Sequence, residues 1–145
     1  MIFIPFNVPS VKNGKTPVTL KGKTHSTLIP APAVKKYLQK IGVKKYSRRG
    51  VENYATKPNI FAQSVGDYFH GVKYPIIIKM FFVRDSKRKF DFNNASQIIQ
   101  DLLAAHKFIE DDNMDCFIPF PMRVNGAWYA VDPNNPGVYL KKVEA

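Results

Sequence analysis

The sequence has a single cysteine, Cys116, and no apolar run long enough to cross a membrane. One cysteine cannot form an intramolecular disulfide, and no amino-terminal signal peptide is recognisable. The longest apolar runs, IFIPF and IIIKMFFV, are much shorter than the roughly 20 residues of a membrane-spanning helix and are better explained as strands. These absences predict a reduced, cytoplasmic protein that has no membrane partner.

Acidic residues are missing from the first third of the chain. Residues 1–51 contain eleven Lys or Arg and no Asp or Glu, and the whole chain carries a net charge of +11. A surface of this kind attracts polyanions and makes binding sensitive to salt, as for nucleic acid. A soluble basic protein with no such partner is the plain alternative. An anionic membrane is disfavoured because no cationic helix has a broad apolar face.

The length and the apolar periodicity predict one α+β domain with a two-layer architecture, in which about three helices pack on a mixed sheet. A chain of 145 residues can bury a core as a single domain. Residues 73–84 carry apolar side chains on both faces and predict a central strand. Further strands are predicted at 2–6, 16–20, 24–29 and 138–143, and helices at 33–41, 58–69 and 94–106. Residues 42–57 are predicted as a polar connection, and Asn125-Gly126 as a hairpin turn.

Seven of the eleven acidic residues lie between Asp85 and Asp115. Carboxylates held close together repel one another and raise each other's pKa, and a divalent cation is the usual relief. Mg²⁺ is a hard ion that takes one or two carboxylates together with water and phosphate oxygens. The stretch therefore suggests a metal site for phosphodiester chemistry. The alternative stays open that Asp111-Asp112-Asn113 is an ordinary acidic turn and Asp91 a helix-entry residue.

The spacing allows these carboxylates to meet. A helix of about twelve residues is roughly 18 Å long, and five or six extended residues cover about 17 to 20 Å. The segment 107–111 is thus just long enough to return Asp112 towards Asp91, on adjacent positions of the sheet. Asn93 or Asn94 is the expected N-cap of the intervening helix. Asn94, Gln97 and Asp101 would form a polar stripe along it.

Other chemistries are weakly represented. The sequence contains no Gly-rich phosphate loop and no nucleophile elbow. Its three histidines, His25, His70 and His106, lack zinc-site spacing. Cys116 follows the acidic cluster, which disfavours its thiolate and makes it a poor nucleophile.

Residues 89–112 resemble the RusA family of Holliday junction resolvases, small enzymes often carried by prophages. The pattern of that family has basic residues before an Asp-x-Asp-Asn motif, then a Lys, an Asp and a paired Asp-Asp. The residues in register with it are Asp91, Asn94, Asp101, Asp111 and Asp112. The amino-terminal NVPSVKNGK is also similar to the opening of the family.

The resemblance implies a RusA-like homodimer in the bacterial cytoplasm that cuts four-way DNA junctions with Mg²⁺, or with Mn²⁺ in its place. It implies metal ligation by Asp91 and Asp112, with Asp111 beside them. Two residues depart from the family pattern. Asn93 stands where the family has a second metal-binding Asp, and Gln97 where it has a catalytic Lys. An amide at either position supplies less charge than the residue it replaces.

Two hypotheses follow. The first is a Mg²⁺-dependent endonuclease for branched DNA in recombination and repair, with Asp91, Asp112 and Gln97 at the reaction centre. Asn93 and Asp111 would complete the metal site, and Asn94 and Asp101 would support it. The side chains expected to bind DNA phosphates are Lys12, Lys15, Lys87, Arg88 and Lys89. The second hypothesis is a structure-selective DNA-binding protein of the same fold with little or no cleavage.

Overall fold

The computed structural model describes residues 1–11, 15–19 and 26–143, and for 15–19 and 26–30 the backbone only. Three helices and nine strands lie in these residues. The helices are α1 (Pro32–Ile41), α2 (Ile60–Val65) and α3 (Phe92–Ala105). The strands are β1 (Ile2–Pro5), β2 (Lys15–Thr19), β3 (Ser26–Pro30), β4 (Val43–Ser47), β5 (Gly50–Asn53), β6 (Ile76–Arg84), β7 (Phe117–Pro121), β8 (Tyr129–Val131) and β9 (Gly137–Val143).

The strand β6 is the centre of a mixed sheet, as its apolar sequence predicts. It pairs antiparallel with β9, for example at Met80 opposite Leu140, and β9 pairs antiparallel with β1. Its other edge pairs parallel with β7 and, further along, with β8. The strand begins at Ile76, because the preceding Pro75 has no N–H to donate to a sheet.

The three helices contribute to one hydrophobic core with alternate residues of β6. Ile76, Ile78, Met80 and Phe82 join this core together with the apolar stripes of α1, α2 and α3. On the opposite face Lys79 is exposed and Ile77 is half-buried, whereas Phe81 and Val83 are buried but do not belong to this core. The helices therefore lie on one side of a mixed sheet, and the chain forms the predicted small α+β domain. No helix in the described part of the chain is long and apolar enough to span a bilayer.

The polar connection predicted for residues 42–57 is wrong. Residues 43–53 form an antiparallel hairpin of β4 and β5, with Tyr46 opposite Val51 and Ser47 opposite Gly50. Val43 is fully buried, and Tyr46 and Val51 pack against the core. Three well-placed apolar side chains are enough to dock this hairpin, although most of its residues are charged or polar.

Several predicted boundaries also change. The N-cap of α3 is Asp91, not Asn93 or Asn94, because the Asp91 side chain accepts a hydrogen bond from the Asn94 N–H. Helix α2 ends at Gly66, well before residue 69, because this residue has a positive φ of 54°. The strands predicted at 16–20 and 24–29 are confirmed as β2 and β3, which pair antiparallel with each other.

The turn at Asn125-Gly126 is confirmed, with φ of 52° and 81° and a bridge between Val124 and Ala127. The hairpin does not continue beyond that bridge, because the next strand, β8, pairs with β6. The adjacent sheet positions predicted for Asp91 and Asp112 are also wrong. Both residues lie outside the strands, one at the start of α3 and the other in the turn before β7.

Candidate functional site

An open cleft of about 870 Å³ lies between α3, the β4–β5 hairpin and the acidic turn. Its wall on α3 carries polar side chains at helical spacing, on the face opposite the buried stripe. The polar residues that line it are Tyr46, Ser47, Arg48, Asn93, Asn94, Gln97, Asp101, Lys107, Glu110, Asp111, Asp112 and Asn113. The cleft thus brings together carboxylates, amides and two cations from three separate segments.

A chain reversal at the end of α3 carries the acidic turn back to this helix. Lys107 adopts a left-handed conformation with φ of 64°. Its N–H donates to the carbonyl of Ala104, and the N–H of Phe108 donates to that of Leu103, as in a Schellman motif. Ile109, only 1% exposed, then anchors the returning chain in the core. This reversal directs the next residues along the polar face of α3.

The side chain of Gln97 joins two carboxylates across the cleft. Its Nε2 donates to Asp101 Oδ1 at 2.8 Å and to Asp112 Oδ2 at 2.9 Å. Both amine hydrogens are used, so the amide is fixed in one orientation. Asp112 therefore returns to the helix as the spacing predicted, but it contacts Gln97 rather than Asp91.

Hydrogen-bond donors stabilise the charge of Asp111. The N–H of Asp112 donates to Asp111 Oδ1 at 2.7 Å, and the Asn113 amide donates to Oδ2 at 3.2 Å. These bonds, with the nearby charge of Arg48, lower the pKa of Asp111 below its ordinary value. The mutual rise in pKa expected for clustered carboxylates is thus reversed at this residue. Hydrogen-bond donors and the Arg48 charge thus relieve the charge of Asp111 within the protein.

A half-buried tyrosine, Tyr46, faces the same cluster from the hairpin. Burial, assisted by the negative charge of Asp101, raises the pKa of Tyr46 to about 12. The Tyr46 hydroxyl is therefore protonated at neutral pH and is not a base under these conditions. It contributes a neutral polar group to the cleft wall.

Asp91 lies outside the cleft wall, unlike the other predicted acidic site residues. Its Oδ1 accepts the Asn94 N–H at 3.2 Å as the cap of α3, and it is not part of the cleft wall. Asn94 also donates to the carbonyl of Ser10 at 3.4 Å, which ties the amino-terminal segment to the start of α3. Asn93 lies on the cleft wall.

The predicted DNA-binding residues lie at different places. Lys87, Arg88 and Lys89 are exposed in the connection between β6 and α3. Lys12 lies outside the described residues, and only the backbone of Lys15 is described, within β2.

Tyr46, Arg48 and Lys107 are among the residues of the cleft wall that the sequence analysis missed. The two hairpin residues were hidden because the segment was predicted as a connection. The apolar residues Val43, Tyr46 and Val51 were the available signal for a hairpin, although a register shift between Val43 and Lys45 breaks strict alternation in β4. The left-handed conformation of Lys107 had no signal, because glycine is the usual residue at such a position.

The residues of the cleft offer Mg²⁺ only a small number of protein ligands. No three His, Cys, Asp or Glu side chains of residues 1–11 and 31–143 converge to hold a metal ion. Asp101 Oδ1 and Asp112 Oδ2 both accept a hydrogen bond from the Gln97 amine, which brings these two carboxylates near one another. Because Mg²⁺ is commonly held by one or two carboxylates with water in its other positions, this pair is compatible with it.

Comparisons of the chain with protein families, curated proteins and solved structures find no match. Fold and site together define a small basic α+β protein with a carboxylate and amide cleft. Its function is therefore argued from its own residues.

Proposed function

We propose that this protein is a Mg²⁺-dependent endonuclease for branched DNA, with four-way junctions as its substrate. The observation that carries the proposal is the contact of Asp112 with Gln97, which also binds Asp101. It gathers carboxylates from two distant segments in an open cleft, within a chain of net charge +11. The same residues belong to the motif that resembles the RusA family.

Asp101 and Asp112 would hold the ion in this proposal. Mg²⁺ bound there would lower the pKa of a water molecule and offset the negative charge that develops on the phosphate. Gln97 sets the separation of the two carboxylates through its paired hydrogen bonds. Arg48 and Lys107, on the cleft wall, add the positive charge that the neutral Gln97 does not supply.

The proposal includes a homodimer, because a four-way junction presents two equivalent strands. Three exposed aromatic side chains in or next to β7 and β8 support this part. Phe120, Trp128 and Tyr129 are 48%, 56% and 42% exposed. Aromatic side chains are enriched at contacts between proteins, and a twofold dimer uses the same surface of both subunits.

A second function is favoured by one specific observation, namely that the described residues contain no group of three His, Cys, Asp or Glu side chains placed to hold one metal ion. It is a structure-selective DNA-binding protein of the same fold that does not cut its ligand. Gln97, at the position of the family's catalytic Lys, is consistent with it. Both functions predict DNA binding that weakens as salt increases.

The test uses a labelled four-way junction and a linear duplex of the same sequence, each incubated with the protein and Mg²⁺. The expected result is nicking of the junction only, and its loss when EDTA removes the ion. Selective binding without nicking in Mg²⁺ or Mn²⁺ would establish the second function. Equal binding to both DNAs without any cut would contradict both functions.

A further inference from the structure

The β4–β5 hairpin carries a concentration of positive charge that includes two arginines at its tip. Residues 43–53 contain four Lys or Arg and one carboxylate, Glu52. Glu52 pairs with Lys44 at 3.5 Å, a contact between two largely exposed side chains. Arg48 and Arg49 form the two-residue turn between Ser47 and Gly50, and in the described part of the chain neither forms a salt bridge.

The tip is held in place by contacts on both sides of the turn. The Arg49 N–H donates to Ser47 Oγ at 3.2 Å, and Lys107 Nζ donates to the carbonyl of Arg48 at 3.2 Å. Behind the tip, Tyr46 and Val51 pack against the core. An arm ordered in advance loses little conformational entropy when it binds a ligand. The hairpin is thus a fixed feature of the surface.

The tip also lies next to the carboxylate cleft. Ser47 and Arg48 line the cleft together with Asp111 and Asp112. The Arg48 charge is close enough to contribute to the lowered pKa of Asp111. A ligand bound at the tip would therefore extend directly into the cleft.

We infer that the β4–β5 hairpin is a DNA-backbone-binding arm, in which Arg48 and Arg49 bind phosphates of the strand that occupies the cleft. This inference rests on the proposed function and names a part of the substrate contact that the sequence analysis did not include. One guanidinium group can donate two parallel hydrogen bonds to the oxygens of a phosphate, and a Ser hydroxyl adds a further donor. An anionic membrane is a poorer ligand, because residues 47–50 offer no apolar side chain for insertion.

The experiment measures the affinity for a fluorescent four-way junction in EDTA over a series of salt concentrations. Each phosphate contact contributes roughly 0.9 to the slope of log K against log salt for duplex DNA. The variant Arg48→Ala/Arg49→Ala is expected to lower the magnitude of this slope by about 1.8. The matched control, Lys35→Ala/Lys36→Ala, removes the same charge from exposed positions of α1 and should keep the wild-type slope.

A third variant separates charge from folding. Arg48→Lys/Arg49→Lys keeps both charges and is expected to retain the wild-type slope. An unchanged slope in the alanine variant, or an equal loss in the α1 control, would overturn the role of the hairpin. The proposed function would survive that result if the wild-type protein still cut the junction. Absence of salt-dependent DNA binding by the wild-type protein would overturn both.

Discussion

Gln97 determines the chemistry of the cleft more than any other residue. A lysine at this position would place a positive charge between Asp101 and Asp112, whereas the amide only donates two hydrogen bonds. The carboxylates therefore keep their net negative charge, which favours a bound cation. Gln97, which departs from the RusA motif that the sequence resembles, is thus also the residue that joins the proposed metal pair of Asp101 and Asp112.

Asp91 has a structural role that can be separated from a role in metal binding. Asn caps a helix about as well as Asp, whereas Ala lacks the acceptor. We expect Asp91→Asn to leave the free energy of unfolding nearly unchanged and Asp91→Ala to lower it by about 1 kcal/mol. Urea denaturation of the two variants provides the measurement.

The Asp91→Asn variant also tests whether Asp91 is a metal ligand. Because Asp101 and Asp112 form the proposed metal pair, Asp91→Asn should still cut the junction. Loss of cleavage in this stable variant would instead support the ligand role that the family resemblance implies for Asp91.

Sequence analysis identified the acidic residues of the site but not their contacts. The length of residues 107–111 correctly indicated that Asp112 could return to the helix. It could not show which helical residue would receive it, since Asp91 and Gln97 are separated by about 9 Å along a helix. The left-handed Lys107 sets that position, and a lysine gives no warning of such a conformation.

At the scale of elements, His106 connects α3 with α2 and β5. Its Nε2 lies 3.0 Å from Asn59 Nδ2, and its Nδ1 lies 2.6 Å from the Leu102 carbonyl. Asn59 caps α2 through its own oxygen and donates to Asn53 in β5. Since the Asn59 amine donates a hydrogen bond to Nε2, this nitrogen is an acceptor and carries no proton, so the imidazole is neutral.

This connection predicts a dependence of stability on pH. Burial lowers the pKa of His106 below its ordinary 6.5, and the Leu102 hydrogen bond opposes the shift. The unfolded chain therefore takes up a proton at higher pH than the folded one. The stability that neutral His106 contributes is fully present above pH 6.5 and should fall as the pH decreases below that value.

Thermal unfolding between pH 5 and pH 8 measures this effect. His106→Gln should flatten the decrease in melting temperature below pH 6.5. His70→Gln changes an exposed histidine and should retain it. If the melting temperature of His106→Gln fell below pH 6.5 as much as that of the wild-type protein, groups other than His106 would be the cause.

The hairpin shows why composition alone misassigned one element. Its strands are short and mostly charged, so the segment has the character of a loop. Val43, Tyr46 and Val51 are nevertheless placed on the core side of the two strands. Their contribution depends on the core surface beneath them, which is formed by residues distant in sequence.

At the scale of the whole molecule, the long apolar strand was the most predictable feature. Seven of the nine residues of β6 are apolar, the exceptions being Lys79 and Arg84, and the strand lies at the centre of the sheet. The order of its neighbours was not predictable, because β7, β8 and β9 all offer short apolar runs. Their pairing is decided by how α3 and the turns direct the chain.

The whole molecule combines an overall charge of +11 with a local acidic cleft. Long-range attraction would bring DNA to the surface, and the carboxylates would then need a cation to admit a phosphate. This combination is the physical basis of the proposed nuclease. It makes the carboxylates of the cleft, rather than the basic surface, the residues on which cleavage depends.

The central claim is tested by the rate of junction cleavage in Mg²⁺ for Asp112→Asn and Asp101→Asn, with Asp115→Asn as the matched control. Asparagine keeps an oxygen that can accept the Gln97 hydrogen bond, so the first two variants change charge rather than shape. Asp115 is exposed in the same turn but does not line the cleft. We expect losses of at least about 100-fold for the two cleft variants, at or above the range for outer partners of metal sites, and a wild-type rate for the control. Wild-type cleavage by Asp112→Asn would contradict the account.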